Sequence, residues 1–388
     1  MTEKKRNTRL LRSGRPQEGW VNVPPTRGST YVFPTVQAWR DTRVRRETER
    51  VNSYGARGTD STIALEDAVI ELEGGHRAAF FPTGQAAIAV TLMGFLSPGD
   101  HMLMTDAAYE PVRRFCTEQL KSMGVEVSYY QPDGSDLKQK IKSNTKVIYV
   151  ECPGSLTYEM IDLKDIAAFA KQHQCVTIAD NTWGSGWLYR PLDLGADVSI
   201  IAATKYLSGH SDVMMGVAVA NKAAWPRLSK AVINFGQTAS PDDAYLVSRG
   251  IRSLPARMIV HEKSALQIAK WLQDRPEVKH VFCPALSTDA AHQHWLRDCK
   301  GTNGLLSIEL DPAYPAEQVE NMIDGLELFG LGASWGGFES LVIPTNMQAA
   351  RSLTDWSSRG QVVRLHIGLE DTADLIEDLN QAFEQLHR

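Results

Sequence analysis

The sequence predicts an α/β fold with a largely parallel sheet, followed by a smaller α+β domain. Short runs that are apolar on both faces are typical of buried strands in a parallel sheet, and four such runs lie at 147–150, 175–179, 198–202 and 217–220. A helical pattern at 163–174 separates the first two runs. This alternation of strand and helix indicates an α/β architecture.

The remaining elements follow in chain order. Before residue 60 the chain is rich in Arg, Thr and Pro, which favours an extended arm over a domain. A helix is predicted from Ser61 until Gly74 stops it. The later predictions are a long helix at 257–274, strands at 305–310 and 362–367, and a helix at 373–386. We therefore expect an arm at 1–55, an α/β domain at 56–251 and an α+β domain at 252–388.

Length and composition exclude several classes of protein. The chain has 388 residues, of which 43% are hydrophobic and 22% charged, as in ordinary globular proteins. No run of apolar residues is long enough to span a membrane or form a secretory signal, so we expect a cytoplasmic protein without a membrane partner. The five cysteines form no CxxC pair, which favours reduced thiols. His292 and His294, with two of these cysteines, fit no standard zinc spacing, so no metal is expected.

The first 60 residues are basic, with 13 Lys and Arg against 6 Asp and Glu. Such an arm would bind nucleic acid or an acidic neighbouring subunit. The arginines are spread along the whole segment and match no nucleic-acid motif, so we favour contact with a subunit.

Asp180 and Lys205 follow the ends of neighbouring predicted strands. Because the carboxyl ends of parallel strands share one ligand crevice, both side chains are expected there. A lysine and a carboxylate in one crevice suit pyridoxal phosphate (PLP): the lysine forms a Schiff base, and the carboxylate keeps the pyridine nitrogen protonated. A structural ion pair, or two solvated charges, would explain the same spacing.

A phosphate site is predicted at 82–87, where PTGQAA follows a strand-like run and opens a helix. Gly84 would let the backbone approach an anion, and the helix start supplies free N–H groups. Thr204 would add a hydroxyl. Thr-Gly is also common in turns that bind no phosphate. The alternative for Thr204 is a hydrogen bond within its own turn.

Three segments resemble the Cys/Met-metabolism (transsulfuration) family of PLP enzymes: YGARG at 54–58, ADNTW at 179–183 and AATKYLSGHSD at 202–212. The resemblance extends from Tyr54 to the C-terminus. It implies a fold-type-I, aspartate-aminotransferase-like structure with a seven-stranded, mostly parallel sheet, in which PLP is the cofactor.

The resemblance also implies a role for each matching residue. Lys205 would carry the cofactor and act as general base, Asp180 would pair with the pyridine nitrogen, and Tyr109 would stack on the ring and help to keep the substrate amine deprotonated. Arg364 would bind the substrate α-carboxylate, although its pattern alone predicts a solvent-facing charge. The remaining assignments are phosphate binding by Gly84, Gln85, Thr204, Tyr54 and Arg57, catalytic assistance by Tyr54, and substrate binding by Ser334 and Trp335.

Tyr54 and Arg57 would reach a neighbouring subunit's site, so the resemblance implies a homo-oligomer with shared sites, with a dimer of dimers expected.

Three features resemble the β-acting branch of the family: PGS at 153–155 in place of Asn-Pro, Trp335, and the AATK wording at 202–205. They imply α,β-elimination of L-cystathionine to L-homocysteine, pyruvate and ammonia. A γ-lyase or γ-synthase of the same family is the alternative, and a non-catalytic PLP-binding protein is a second one. Ala333 departs from the pattern, since β-acting members tend to have tyrosine there. A small residue would widen the pocket so that it accepts other cysteine S-conjugates, and the alternative is a neutral change in packing.

Overall fold

The computed structural model describes residues 4–387. Its helices are α1 Arg6–Arg12, α2 Val36–Arg45, α3 Asp60–Glu73, α4 Gly84–Phe95, α5 Glu110–Phe115, α6 Leu163–Gln172, α7 Trp225–Asn234, α8 Pro241–Gln273, α9 His292–Asp298, α10 Ala316–Asp324, α11 Met347–Ala350 and α12 Thr372–Phe383. Its strands are β1 Arg77–Phe81, β2 His101–Thr105, β3 Glu126–Tyr130, β4 Thr145–Glu151, β5 Val176–Asp180, β6 Val198–Ala202, β7 Gly216–Ala220, β8 Val278–Phe282, β9 Leu305–Leu310, β10 Gly330–Leu331, β11 Leu341–Thr345 and β12 Val362–His366.

The larger sheet has seven strands in the order β1-β7-β6-β5-β4-β2-β3. Strand β7 runs antiparallel to both neighbours, and the remaining neighbours are parallel. Helices cover both faces: Val198 and Ile200 of β6 pack in a cluster with α4 and α7, and Ile201 packs in one with α3 and α8. Burial on both faces explains why every residue of β6 except Ser199 is apolar. The predicted mostly parallel sheet is confirmed.

Helix α3 confirms the helix predicted from Ser61. Thr59 and Thr62 exchange hydrogen bonds at its start, and Gly74 ends it in the left-handed conformation with φ of 80°. Glycine reaches this conformation without the steric penalty of a Cβ.

Helix α8 begins 16 residues before the predicted start at Arg257. Ser240 caps it by accepting from the Asp242 amide, and Pro241 occupies its first turn, where a missing N–H costs nothing. Pro255 lies inside the helix, which continues because its apolar side packs against α3. Since α8 passes through residue 251, the domain limits 1–55, 56–251 and 252–388 stay a prediction.

The smaller sheet has five strands in the order β10-β11-β12-β9-β8. Its apolar residues form one cluster with α8, α10 and α12, which confirms the predicted smaller α+β unit. Strand β9 has the predicted bounds, and β12 places Arg364 and His366 on the same face, two residues apart.

The arm is not wholly extended, because it contains α1 and α2. Helix α1 docks on the body: Arg252 donates to the Leu10 and Ser13 carbonyls, and Arg6 donates to Trp187 O at 2.7 Å. Along the described chain, no helix is long and apolar enough to cross a membrane.

Candidate active site

Asp180 and Lys205 lie at the carboxyl edge of the larger sheet. Asp180 is the last residue of β5, and Lys205 follows the end of β6 by three residues. These strands are parallel neighbours, so both residues leave the sheet on the same side, as predicted. Neither belongs to an ion pair among residues 4–387, so they do not form the structural salt bridge that was the alternative.

Asp180 is a buried carboxylate, 7% exposed. Its Oδ1 accepts from the Thr182 amide at 2.9 Å and hydroxyl at 2.6 Å, and its Oδ2 accepts from the Tyr149 hydroxyl at 3.4 Å. Burial raises the pKa of Asp180, while these hydrogen bonds oppose the rise. A desolvated carboxylate without a cationic partner suits a protonated ring nitrogen.

Lys205 donates from Nζ to Ser334 Oγ at 2.7 Å, and Nζ lies 5.2 Å from the Trp335 ring centroid. Burial, and secondarily the positive charge of Arg364, lower the pKa of Lys205 to about 8. A lysine with such a pKa is partly neutral near physiological pH, and only the neutral amine is a nucleophile or base.

Arg364 is buried, 6% exposed, so the solvent-facing position predicted from its pattern alone is wrong. Its side chain, carried by β12, contacts the segment that joins β10 to β11, and burial there lowers its pKa. Its Nη atoms donate to the carbonyls of Gly332, Ala333 and Ser334 at 2.8 to 3.2 Å, and its Nε is buried without a partner. Carbonyls leave the positive charge unneutralised, which suits a ligand carboxylate.

The start of α4 is the predicted phosphate site. Thr83 caps the helix by accepting from the Ala86 amide, so the Gly84 and Gln85 amides are first-turn groups without intrahelical partners. A Cβ on Gly84 would lie 2.8 Å from Ala202 Cβ, so the close approach of α4 to β6 requires glycine. Gln85 Oε1 is buried without a partner.

Thr204 adjoins Lys205, and its hydroxyl oxygen accepts from the Met215 amide at 3.0 Å. The same hydroxyl lies 3.3 Å from Met215 O, to which it donates. The turn hydrogen bond considered from the sequence is therefore present, and the phosphate contact of Thr204 stays a prediction.

Tyr109 directly precedes α5, beyond the end of β2, and 49% of it is exposed. Its amide donates to Glu151 Oε2 at 2.8 Å, which fixes the turn that carries the ring. Burial raises the pKa of Tyr109, and the negative charges of Glu151, Glu110 and Asp180 raise it further. The phenol is therefore protonated at neutral pH in the isolated chain, and the stacking and catalytic roles of Tyr109 stay predictions.

Tyr54 and Arg57 lie apart from these residues within one chain. Both line a cavity of about 340 Å³ with Phe80 and Trp225, and its lining does not include Lys205, Asp180 or Arg364. Tyr54 is 52% exposed. Their predicted role in a neighbouring copy's site stays a prediction.

Three residues around the site escaped the sequence reasoning: Thr182, Tyr149 and Glu151. Thr182 joins two strands, because its hydroxyl donates to Asp180 and accepts from the Ala202 amide at 2.9 Å. The Asp-x-Thr spacing, typical of local side-chain to backbone turns, was the available signal for Thr182. Tyr149 and Glu151 had none, since their roles depend on strand pairing.

All five cysteines are free. No group of three or more His, Cys, Asp or Glu side chains within residues 4–387 could hold a metal ion.

These residues fit PLP. Lys205 would carry it, Asp180 would face its ring nitrogen, Tyr109 would cover the ring, and the start of α4 would hold its phosphate. The orphaned Gln85 Oε1 and Arg364 Nε mark polar groups at the site that an occupant would satisfy.

Comparison with known proteins gives consistent results. The profile of the family described as Cys/Met metabolism PLP-dependent enzyme matches residues 7–384. A Bordetella avium protein named cystathionine beta-lyase is 42% identical over 368 residues, 94% of this chain and 92% of that protein. Cystathionine beta-lyase MetC of Escherichia coli strain K12 is 41% identical over 396 residues, 100% of both chains. The crystal structure of metB from Corynebacterium glutamicum has a TM-score of 0.89 at 30% identity and covers 99% of each chain. The predicted fold class is confirmed.

Proposed function

The chain belongs to the Cys/Met metabolism family of PLP-dependent enzymes, and from this membership we propose that it is a carbon–sulfur lyase acting on L-cystathionine. The products are L-homocysteine, pyruvate and ammonia. The observation that carries the proposal is Lys205, a lysine of lowered pKa without a carboxylate partner, held by Ser334 beside the unneutralised Arg364. The two relatives described above bear the name cystathionine beta-lyase.

The side chains divide the work of the reaction. Arg364 binds the substrate α-carboxylate through its planar guanidinium. Neutral Lys205 Nζ takes the proton from Cα, and Ser334 Oγ orients Nζ toward it. When PLP is bound, Asp180 would hold the proton of its ring nitrogen, and Tyr109 would cover the ring. PLP, when bound, supplies the electron sink that stabilises negative charge at Cα.

Loss of the Cα proton to Lys205 and departure of the homocysteine thiolate from Cβ leave 2-aminoacrylate. This product takes up water and gives pyruvate and ammonia. Protonated Lys205 can then give this proton to the homocysteine thiolate, so that Nζ returns to its neutral form.

The choice of β over γ elimination follows from residues at the site. Trp335, whose ring centroid lies 5.2 Å from Lys205 Nζ, the Pro153–Ser155 stretch and the AATK wording at 202–205 resemble the β-acting branch. A γ-lyase or γ-synthase would give 2-oxobutyrate or a replacement product instead of pyruvate. A non-catalytic PLP-binding protein would give no keto acid.

The decisive experiment uses purified protein with PLP. We record the visible absorbance of the bound cofactor, add L-cystathionine, and identify the keto acid and the thiol. Pyruvate with homocysteine, both lost in Lys205→Ala and kept in the exposed-lysine control Lys164→Ala, supports the proposal. 2-Oxobutyrate, or no product, contradicts it.

The substrate range is part of the proposal. Ala333 is exposed at the rim of the site, beside the carbonyls that hold Arg364. A small side chain there leaves room for other cysteine S-conjugates, so we expect pyruvate from several thioethers. An Ala333→Tyr variant that narrows this range, compared as kcat/KM ratios, would support the assignment.

We also propose that the protein forms a homo-oligomer. It is at least a dimer, and we expect a dimer of dimers. Its support is that Tyr54 and Arg57 lie on a cavity away from the chain's own Lys205. Full activity in monomers at high dilution would contradict it.

The five free cysteines suit the reducing cytoplasm, where we expect the enzyme to act.

A further inference from the structure

The segment 332–339 joins β10 to β11 and has no regular secondary structure. It nevertheless contacts the side chains of both Lys205 and Arg364. Ser334 Oγ accepts from Lys205, and three carbonyls of the segment accept from Arg364. Its position must therefore be set by contacts from outside the segment.

His366, on β12, makes two such contacts. The Gly336 amide donates to its Nε2 at 3.0 Å, and its Nδ1 lies 3.1 Å from the Glu339 carbonyl. An amide can only donate and a carbonyl can only accept, so the ring is the neutral tautomer with its proton on Nδ1. One fully buried side chain thus fixes two points of the segment, three residues apart.

Gly336 packs directly against the backbone of Lys205 and Tyr206. Gly336 has φ of 86°, and a Cβ there would lie 2.8 Å from Tyr206 N and 2.9 Å from Lys205 C. With no space between the two backbones, displacement of Gly336 moves the segment relative to Lys205. Catalysis is sensitive to such shifts, since misplacement by about 1 Å can cost about 100-fold in rate.

Other hydrogen bonds support both ends of this segment. At its start the Gly332 amide donates to Val342 O at 3.2 Å, beside the contacts of Arg364 and Lys205 with 332–334. The Leu369 amide donates to Phe338 O at 2.8 Å, and the Ser340 amide donates to Glu370 Oε1 at 2.7 Å. These contacts hold the end of the segment near β11, whereas His366 reaches the part beside Ser334 and Trp335.

We propose that His366 is a positioning residue that places Ser334 against Lys205, and the segment's carbonyls against Arg364, through its contact with Gly336. The role rests on the proposed function, because Lys205 and Arg364 are the groups that it serves. The proposal goes beyond that function in naming a buried histidine that touches neither Lys205 Nζ nor the Arg364 guanidinium by a hydrogen bond.

The test compares three variants of the PLP-loaded enzyme. His366→Phe keeps the ring volume and removes both contacts, and His366→Gln restores an acceptor for the Gly336 amide. His261→Phe is the matched control, because His261 is a buried histidine 5.4 Å from His366 in the same aromatic cluster, bonded to Ile367 O instead of the segment. Thermal unfolding with bound PLP establishes that each variant is folded.

We expect kcat/KM to fall about 10- to 100-fold in His366→Phe, and to lie within about fivefold of wild type in His366→Gln and His261→Phe. The pH midpoint of the bound cofactor's absorbance, which needs no substrate, should shift in His366→Phe alone, because Lys205 loses its ordered partner. An unchanged midpoint and rate in folded His366→Phe, or equal losses in His261→Phe, overturns the proposal.

A double-mutant cycle covers the case in which His366→Phe does not fold. His366→Asn keeps a donor for Glu339 O and lacks an acceptor that reaches Gly336. If His366 acts through Ser334, its effect in the Ser334→Ala background is much smaller than in wild type, and additive effects overturn the role. Failure of the proposed function would be distinguishable, because the wild-type enzyme would then release no pyruvate. The pH midpoint of the cofactor's absorbance could still be compared between wild type and the variants.

Discussion

Lys205 and Ser334 are 129 residues apart in the chain, yet Lys205 Nζ donates to Ser334 Oγ at 2.7 Å. The bond connects the edge of the larger sheet to the segment that precedes β11 of the smaller one. The reactive amine is therefore oriented by the second structural unit of the chain, and the site is complete only when both units are packed together.

Ser334→Ala should weaken catalysis without loss of the cofactor. The variant removes the acceptor of the Lys205 bond, so Nζ samples more orientations. We expect kcat/KM to fall about 5- to 50-fold, equivalent to about 1 to 2 kcal/mol. Steady-state kinetics check this, with the exposed Ser357→Ala as control. Equal kcat/KM in the two variants would remove the orienting role.

Arg364→Lys should raise KM more than it lowers kcat. Lysine keeps the charge but cannot make the two parallel hydrogen bonds of a guanidinium, and it cannot reach all three carbonyls of 332–334. We expect KM to rise about 10- to 100-fold, in line with one lost charge-assisted hydrogen bond. Initial rates over a range of L-cystathionine concentrations measure it, with Arg249→Lys on the exposed side of α8 as control. An unchanged KM would assign the α-carboxylate to another group.

Glu73 should make stability fall as pH rises. It is fully buried, its Oε1 accepts from Asn181 at 2.7 Å, and its Oε2 has no partner. Burial raises its pKa to about 7, from the ordinary value of 4.5. Between these pH values the folded state keeps a proton that the unfolded state has lost, so stability declines through this window.

Glu73→Gln removes that titration. Its stability relative to wild type should increase as pH rises from 4.5 to about 7 and then level off. Urea unfolding at several pH values measures the difference, with the exposed Glu320→Gln as control. A difference that does not vary with pH would contradict the assignment.

Asp106→Ala should destabilise the fold by about 2 to 4 kcal/mol. This fully buried carboxylate accepts from Arg113 at 2.7 Å, and from the amides of Ser352 and Leu353 at 2.9 Å each. Burial raises its pKa, but the hydrogen bonds from these partners outweigh burial and lower the pKa overall. The variant leaves the amides of Ser352 and Leu353 without this acceptor, and Arg113 keeps only its hydrogen bond to the carbonyl of residue 106.

Urea unfolding of Asp106→Ala, beside the exposed Asp324→Ala, measures this loss. Hydrogen exchange should accelerate at 352–353, since those amides lose their acceptor. Unchanged exchange there would show that the segment is held by other contacts.

Local patterns were sufficient for the elements that lie within one stretch of chain. Strands β6 and β9 have the predicted bounds, because strands buried on both faces are mostly apolar. Only Ser199 interrupts β6, and only Ser307 and Glu309 interrupt β9. The start of α8 was missed because Pro255 and Gly250 weaken a helical pattern locally, while packing against α3 stabilises the helix through them.

The sequence by itself determined the α/β fold and the chemical groups of the site. It placed a lysine and a carboxylate at the ends of neighbouring strands, within motifs that resemble those of a known family. Only the tertiary structure decided how those groups are held. The bond from Lys205 to Ser334 joins the two units, and the carbonyl contacts of buried Arg364 and the contacts of His366 with Gly336 and Glu339 join distant stretches of chain within the smaller unit. Side-chain desolvation and hydrogen bonding depend on what packs around a group in space, and no local pattern records that.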